Sequence, residues 1–169
     1  MENTVNKYIG REFMNKMVSV SSHAEAYKAA LKELRSVSLE SRVELALSLI
    51  AIGSDGSEPF DERGFALGFI SEVVHFGGLR NNQELEDRLI NLVNRLERDP
   101  PEEHFQTIPT KDPNNVNSQF VLCSAMLALI AVNRMSGLQY LDQLINRCNE
   151  CQYEHPLRKM RRQYTAGAK

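Results

Sequence analysis

The sequence predicts an all-α protein, a compact multi-helix bundle of about six to eight helices. Apolar residues run from Phe120 to Val132, interrupted only by Ser124, which is too long for an ordinary strand. The abundance of Leu, Ala and Met in this run favours a helix. A helix that is apolar all round has to be covered on every side, so the run predicts a central helix over about 119–134. We find no run of alternating polar and apolar residues that would indicate a strand.

Length and composition fit one globular domain. A chain of 169 residues can bury its own core, and 42% apolar with 25% charged residues argues against widespread disorder. The net charge of −2 gives no overall attraction to nucleic acid or to an anionic membrane. The central run is shorter than the roughly 18 apolar residues of a membrane span, so no membrane partner is expected.

The three cysteines, an odd number in a chain with its own core, indicate reduced thiols. Polar residues follow Met1, without the charged and apolar regions of a secretory signal. Both observations predict a cytoplasmic location.

Four helices are predicted before residue 80. Apolar residues at every fourth position indicate the first over about 3–19, and a second begins near His23. Ser36 or Ser38 caps the third, which ends near Gly53, and Asp61 caps the fourth, which Gly77–Gly78 stops. The buried face of the third helix is marked by Leu39, Val43, Ala46, Leu47 and Ile50, and a second side of it is also apolar.

The remaining helices are separated by a long connection. A fifth amphipathic helix runs to about Arg98, where Asp99-Pro100-Pro101 ends it. A Pro-containing loop over 99–117 leads to the central helix, and Ser136-Gly137 separates that helix from a last long one. We therefore predict one helical domain over 1–156 and a basic C-terminal tail over 157–169. Short turns between paired helices also leave a helix-hairpin or solenoid-like arrangement open.

Cys148, Cys151 and His155 form the most suggestive local pattern. Two thiolates and an imidazole could supply three zinc ligands. The same spacing places three side chains on one helix face without any chemistry, and a second ligand pair is missing. The competing interpretation is that these thiols lie in the core or near the surface.

The tail carries clustered cations. Arg158, Lys159, Arg161 and Arg162 could bind phosphates by releasing counterions, with Tyr164 adding stacking. The alternative is a solvated terminus that complements an acidic surface of the protein.

Four carboxylates, Asp55, Glu58, Asp61 and Glu62, lie around one predicted turn and could ligate a hard cation. Their spacing departs from that of an EF-hand, and a turn followed by a helix cap explains Asp55 and Asp61 without a metal. The stretch Leu49–Gly56 resembles the helix-to-loop junction of tellurite-resistance TerB-like helical domains. This resemblance covers eight residues, so no residue role is carried over from it.

The fourth predicted helix carries Phe65, Phe69 and Phe76 on one side. If exposed, these rings would form a partner site or a homodimer interface; the alternative is that they complete the protein's own core.

The catalytic signatures of phosphate loops, nucleophile elbows and zinc proteases are absent from the sequence. We therefore expect no catalytic residues and no cofactor. The leading hypothesis is a non-catalytic helical module with an adaptor or regulatory role that binds a protein partner. The alternatives are a nucleic-acid-associated regulator that uses the tail, and a metal protein or enzyme whose site is assembled from distant residues.

Overall fold

The structure, a computed structural model, describes residues 6–98, 121–148 and 154–166. Over these ranges the chain folds into eight α-helices and contains no strand, which confirms the predicted all-α bundle. A short 3-10 turn, Glu33–Ser36, follows the second helix. The helices are α1 (Tyr8–Val20), α2 (Ala24–Lys32), α3 (Leu39–Ser54), α4 (Phe60–Gly77), α5 (Gln83–Arg98), α6 (Val121–Val132), α7 (Arg134–Arg147) and α8 (Glu154–Ala166).

The central element is α6, as the apolar run predicts. All of its residues except Leu127 and Ala131 are buried. It packs against α4, α5 and α7, so most of the circumference of this apolar helix is removed from water.

Four helices form a closed ring around the core. Helix α3 packs on α4, α4 on α6, α6 on α5, and α5 returns to α3. Helices α1 and α2 cover α3 and α4, while α7 covers α6 and α8 covers α7. Close approach in the ring depends on Gly53, where an added Cβ would lie 2.5 Å from Leu67 Cγ.

The helix ends follow local chemistry. Ser38 caps α3 by accepting a hydrogen bond from the Ser41 amide at 3.1 Å, one of the two predicted caps. Gly78 ends α4 in the left-handed conformation with φ 67°. The predicted cap at Asp61 is wrong, because Pro59 occupies the cap position and Asp61 lies in the first turn.

The predicted break at Ser136-Gly137 is also wrong. Both residues lie inside α7, which is capped by Asn133 accepting from the Ser136 amide at 3.2 Å. Gly137 is placed there by packing: a Cβ on it would lie 2.6 Å from Ile130 Cα of α6. The glycine therefore permits helix contact rather than a turn.

The basic segment after residue 156 is helical as far as Ala166. Leu157 and Met160 are fully buried and belong to the same core as the other helices. The predicted loop over 99–117 lies outside the described residues.

Candidate protein-interaction groove

Helices α3 and α5 run in the same direction and leave a groove between them. Near their starts, Leu39, Asn82 and Glu84 line a depression of about 550 Å³. Near their ends, Ser54 and Arg95 line a second depression of about 410 Å³. Leu47 lines both, so the two depressions are neighbours along α3, and we call them together the α3–α5 groove. At 1.5 Å per residue, a helix of 16 residues gives this groove a length of about 24 Å.

The α3–α5 groove has an apolar floor that the bundle does not fully cover. Leu39 is 56% exposed, while Val43, Leu47 and Ala51 are partly exposed. These residues follow one another at steps of four along α3 and therefore form one row on its surface. The prediction that these positions are buried is wrong for Leu39, whereas Ala46 and Ile50 are buried as expected. Val43 and Leu47 are half-buried and pack against the core. Helix α5 lines the groove beside this row without closing it.

The charges at the two ends of the groove have opposite signs. Glu40, Glu44 and Glu84 line the end where the two helices start. The other end is lined by three cations, Arg88, Arg95 and Arg98. Among the described residues, none of these three arginines forms an ion pair with a carboxylate.

At the basic end of the groove, two arginines bind carbonyl oxygens of the last turn of α3. Arg95 donates from Nη2 to the carbonyl oxygen of Ser54 at 2.7 Å. Arg63, only 5% exposed, donates from Nε to the carbonyl oxygen of Gly53 at 3.0 Å. Burial lowers the pKa of Arg63, and the neighbouring charge of Arg95 lowers it further, against an opposing effect of Asp55. Both arginines thus satisfy carbonyls that the helix itself leaves free and complement its dipole.

The predicted aromatic partner site is only partly present. Phe65 is 62% exposed, but Phe69 and Phe76 are half-buried and pack against the core. The Phe69 ring also meets the edge of Phe13, with ring centroids 5.8 Å apart. Phe65 therefore projects alone, and the three rings do not form an exposed aromatic cluster.

The predicted nucleic-acid-binding residues lie on α8. Arg158 pairs with Glu154 at 3.0 Å and Arg161 pairs with Asp142 of α7 at 2.7 Å. Lys159 is half-buried and Arg162 is exposed. Part of this charge is thus already compensated within the protein by carboxylates of α7 and of α8 itself.

Of the three predicted metal ligands, only the side chain of Cys148 lies within the described residues. Cys148 is disulfide-bonded, so the expectation of three reduced cysteines is wrong for this residue. Cys151 and the side chain of His155 lie outside the described residues. Within those residues, no group of three or more potential ligands could hold a metal ion. Cys123 is buried in α6, and burial raises the pKa of its thiol to about 12, which keeps it protonated.

The acidic turn after α3 is occupied by ion pairs. The Lys7 ammonium contacts Asp55 and Glu58, and the Arg11 guanidinium contacts Glu58 and Glu62. The hydrogen bond from Lys7 holds the pKa of Asp55 well below its usual value of 3.8, and Ser57 adds to this effect. These pairs connect the start of α1 to the α3–α4 turn and give Asp55, Glu58 and Glu62 a structural role. Asp61 is exposed and forms none of these pairs.

No family model, curated protein or solved structure matches this chain. The short resemblance of residues 49–56 to TerB-like domains therefore gains no support from the family comparison. No helix in the described ranges has the length and apolar character needed to cross a membrane. The cytoplasmic location stays a prediction.

The α3–α5 groove itself was not predicted from the sequence. Its local signals are present: apolar residues at steps of four on α3, and arginines at positions 88, 95 and 98 on one side of α5. Those signals become a site only when the two helices lie side by side, which is a contact between residues about 40 positions apart.

Proposed function

We propose that this chain is a non-catalytic protein-interaction module that binds one helix of a partner protein in the α3–α5 groove. The observation that carries the proposal is a partly exposed apolar row on α3 between an acidic end and a basic end. Such a surface can take up the apolar stripe of an amphipathic helix, which repeats at the same three- and four-residue steps.

The dimensions and charges favour a protein helix over other ligands. A groove of about 24 Å accommodates roughly four helical turns. Nucleic acid would gain at Arg88, Arg95 and Arg98 but would meet repulsion from Glu40, Glu44 and Glu84 in the same groove. A partner with both signs of charge satisfies both ends.

The partner helix is defined by this chemistry. Its apolar stripe would cover Leu39, Val43 and Leu47. Basic side chains at one end of it would face the acidic end of the groove, and acidic side chains at the other end would face the arginines. The apolar contact supplies most of the binding free energy, while the charges set orientation and association rate.

The test is affinity capture from the native cell extract, followed by a binding measurement with the purified partner. The groove variants are Leu47→Glu and the double variant Arg88→Glu with Arg98→Glu. The matched controls are Phe65→Ser and Arg162→Glu, which change exposed residues outside the groove. We expect the wild-type chain and both controls to retain one protein. Each groove variant should bind that protein at least about tenfold more weakly. Leu47→Glu would bury a carboxylate on apolar surface, and the double variant would reverse the charge of the basic end.

Charge exchange sharpens this test. Replacing acidic residues of the partner helix by Lys should restore binding to the Arg88→Glu, Arg98→Glu chain. Equal binding by wild type and both groove variants would overturn the proposal, and loss confined to Phe65→Ser would transfer the site to that ring. A second copy of this chain as the retained protein would identify a homodimer, which sedimentation would show directly.

Nucleic-acid binding through α8 is the second proposal, and the same experiment separates it. It requires material that nuclease removes and that the Arg162→Glu chain fails to retain. A chain truncated at residue 156 is unsuitable for this purpose, because it would lose Leu157 and Met160 from the core. Binding that survives both nuclease and Arg162→Glu contradicts this alternative.

A further inference from the structure

A second cavity, separate from the α3–α5 groove, lies where the ends of α4 and α6 meet α7 and α8. Its volume is about 480 Å³, within the range of small-molecule sites. It shares no lining residue with the α3–α5 groove. Ile130 and Ala131 of α6 contribute apolar surface, and Tyr164 of α8 contributes an aromatic ring.

Two arginines line this cavity without a carboxylate partner among the described residues. Arg134 lies over the ring of Tyr164, with its guanidinium carbon 5.7 Å from the ring centroid. Arg80 makes a hydrogen bond of 3.4 Å with Nδ1 of His75. No described carboxylate lines the cavity, so both cations face it unneutralised.

A backbone hydrogen bond fixes the part of the cavity wall between Arg80 and Arg134. Asn81 has a positive φ of 60°, and its amide donates to the Val132 carbonyl oxygen of α6 at 2.7 Å. Positive φ at a residue other than glycine costs free energy and persists where the surrounding structure holds it. This contact holds Arg80 next to the end of α6, close to where Arg134 begins α7.

The ring of Tyr164 supplies a neutral hydrogen-bonding group as well as a flat surface. Burial raises the pKa of its hydroxyl, with the charge of Arg134 acting in the opposite direction. The hydroxyl therefore stays protonated at neutral pH and can donate to an anion. An arginine stacked on an aromatic ring still presents its N–H edge to a ligand.

We propose that this cavity binds a small aromatic anion, an aryl phosphate or aryl carboxylate, with its anionic group between Arg80 and Arg134 and its ring against Ile130, Ala131 and Tyr164. Guanidinium groups bind phosphate and carboxylate through paired, charge-assisted hydrogen bonds. The apolar surface removes the ring of the ligand from water. Neither the two arginines nor the apolar surface suffices alone, so the site discriminates against inorganic anions and against uncharged aromatic compounds.

The experiment is calorimetric titration of the full chain with phenyl phosphate, with inorganic phosphate, and with phenol, together with amide NMR of the wild-type protein. We expect saturable binding of one phenyl phosphate per chain, and binding of the other two compounds at least about tenfold more weakly. Amide shifts should concentrate at residues 80–81, 130–134 and 164.

Two substitutions and one control complete the test. Arg134→Gln and Arg80→Gln should each weaken phenyl phosphate binding about tenfold or more, because each removes a charge-assisted contact. Arg162→Gln, which changes an arginine of α8 outside the cavity, should leave the affinity unchanged. Absence of saturable binding, equal affinity for inorganic phosphate, or shifts elsewhere in the wild type would each overturn the proposal, and this holds even if a variant fails to fold.

Discussion

Helices α6 and α3 are both apolar on more than one side and have different surroundings. Ser124 is the single polar residue of α6, whereas α3 also carries charged residues such as Glu40, Arg42 and Glu44. In the structure α6 is enclosed by α4, α5 and α7, whereas α3 keeps a row of side chains from Leu39 to Ala51 partly open to solvent. One helix therefore supplies the core of the bundle, and the other supplies both core and surface.

The comparison shows that neighbouring helices decide how much of an apolar helix surface is covered. Where neighbours close the ring, apolar residues contribute to folding. Where α5 leaves α3 partly uncovered, we propose that the same residue types bind a partner, oriented by the charges at the two ends of the groove. The predictions below test this division, beginning with the largest expected effect.

The strongest test compares leucines on the two helices. Leu129→Ala in α6 should lower the free energy of unfolding by about 2–5 kcal/mol, because a fully buried side chain leaves a cavity that its neighbours cannot fill. Leu47→Ala in α3 should cost less than Leu129→Ala, since the Leu47 side chain is already partly exposed. Urea denaturation of both variants measures the difference. Similar losses for the two would mean that α3 is as enclosed as α6.

Two glycines provide a second test of how closely α6 is covered. Gly137→Ala should destabilise the protein by about 1–3 kcal/mol, because the new Cβ would meet the backbone of Ile130 at 2.6 Å and would separate α7 from α6.

The control for that substitution is Gly68→Ala in α4. Nothing lies within 4 Å of a Cβ at this position, and alanine in a helix interior is favoured over glycine by roughly 0.5–1 kcal/mol. Thermal and urea unfolding should therefore move the two glycine variants in opposite directions. A neutral effect of Gly137→Ala would show that α6 and α7 can separate at little cost.

Most of the helical order is a local property and was accessible from the sequence. The run ending at Val132 predicts α6, Ser36 or Ser38 predicts the start of α3, and Gly77–Gly78 predicts the end of α4. Each depends on neighbouring residues and backbone preference. Gly137 shows the limit of such local inference. The pair Ser136-Gly137 indicates a turn, whereas the role of Gly137 depends on its contact with Ile130 in another helix.

The site residues depend on such distant contacts throughout. Phe65 and Phe69 occupy one side of α4, yet only Phe65 is exposed, because α1 brings Phe13 against Phe69. The second cavity likewise needs Arg80, Arg134 and Tyr164 from three separate segments. Periodicity identifies which residues share a helix face, but it does not identify the neighbour that covers that face.

The smallest expected effect concerns the charged turn that holds the end of α3. Asp55 accepts hydrogen bonds from Lys7 and from the amide and hydroxyl of Ser57, the last two at 2.8 and 2.7 Å. Its folded-state pKa is therefore below the unfolded value of 3.8, chiefly because of Lys7. A carboxyl group with a depressed pKa stabilises the fold fully above 3.8, and this contribution is lost as the pH falls below that value. Because both partners are about one-third exposed, solvent screens the pair and the effect is small.

Asp55→Asn tests this contribution. Denaturant unfolding of wild type and variant, measured from neutral pH to below 3.8, should show a stability difference that is constant at higher pH and shrinks in acid. Glu58 stays in both proteins and its pKa is also lowered, chiefly by Arg11, so acid still destabilises the variant. A difference between the two proteins that does not change with pH would mean that Asp55 acts through its hydrogen bonds to Ser57 without its charge. The end of α3 would then depend on neutral contacts, as α6 does, and the contrast between the two helices would be confined to the groove.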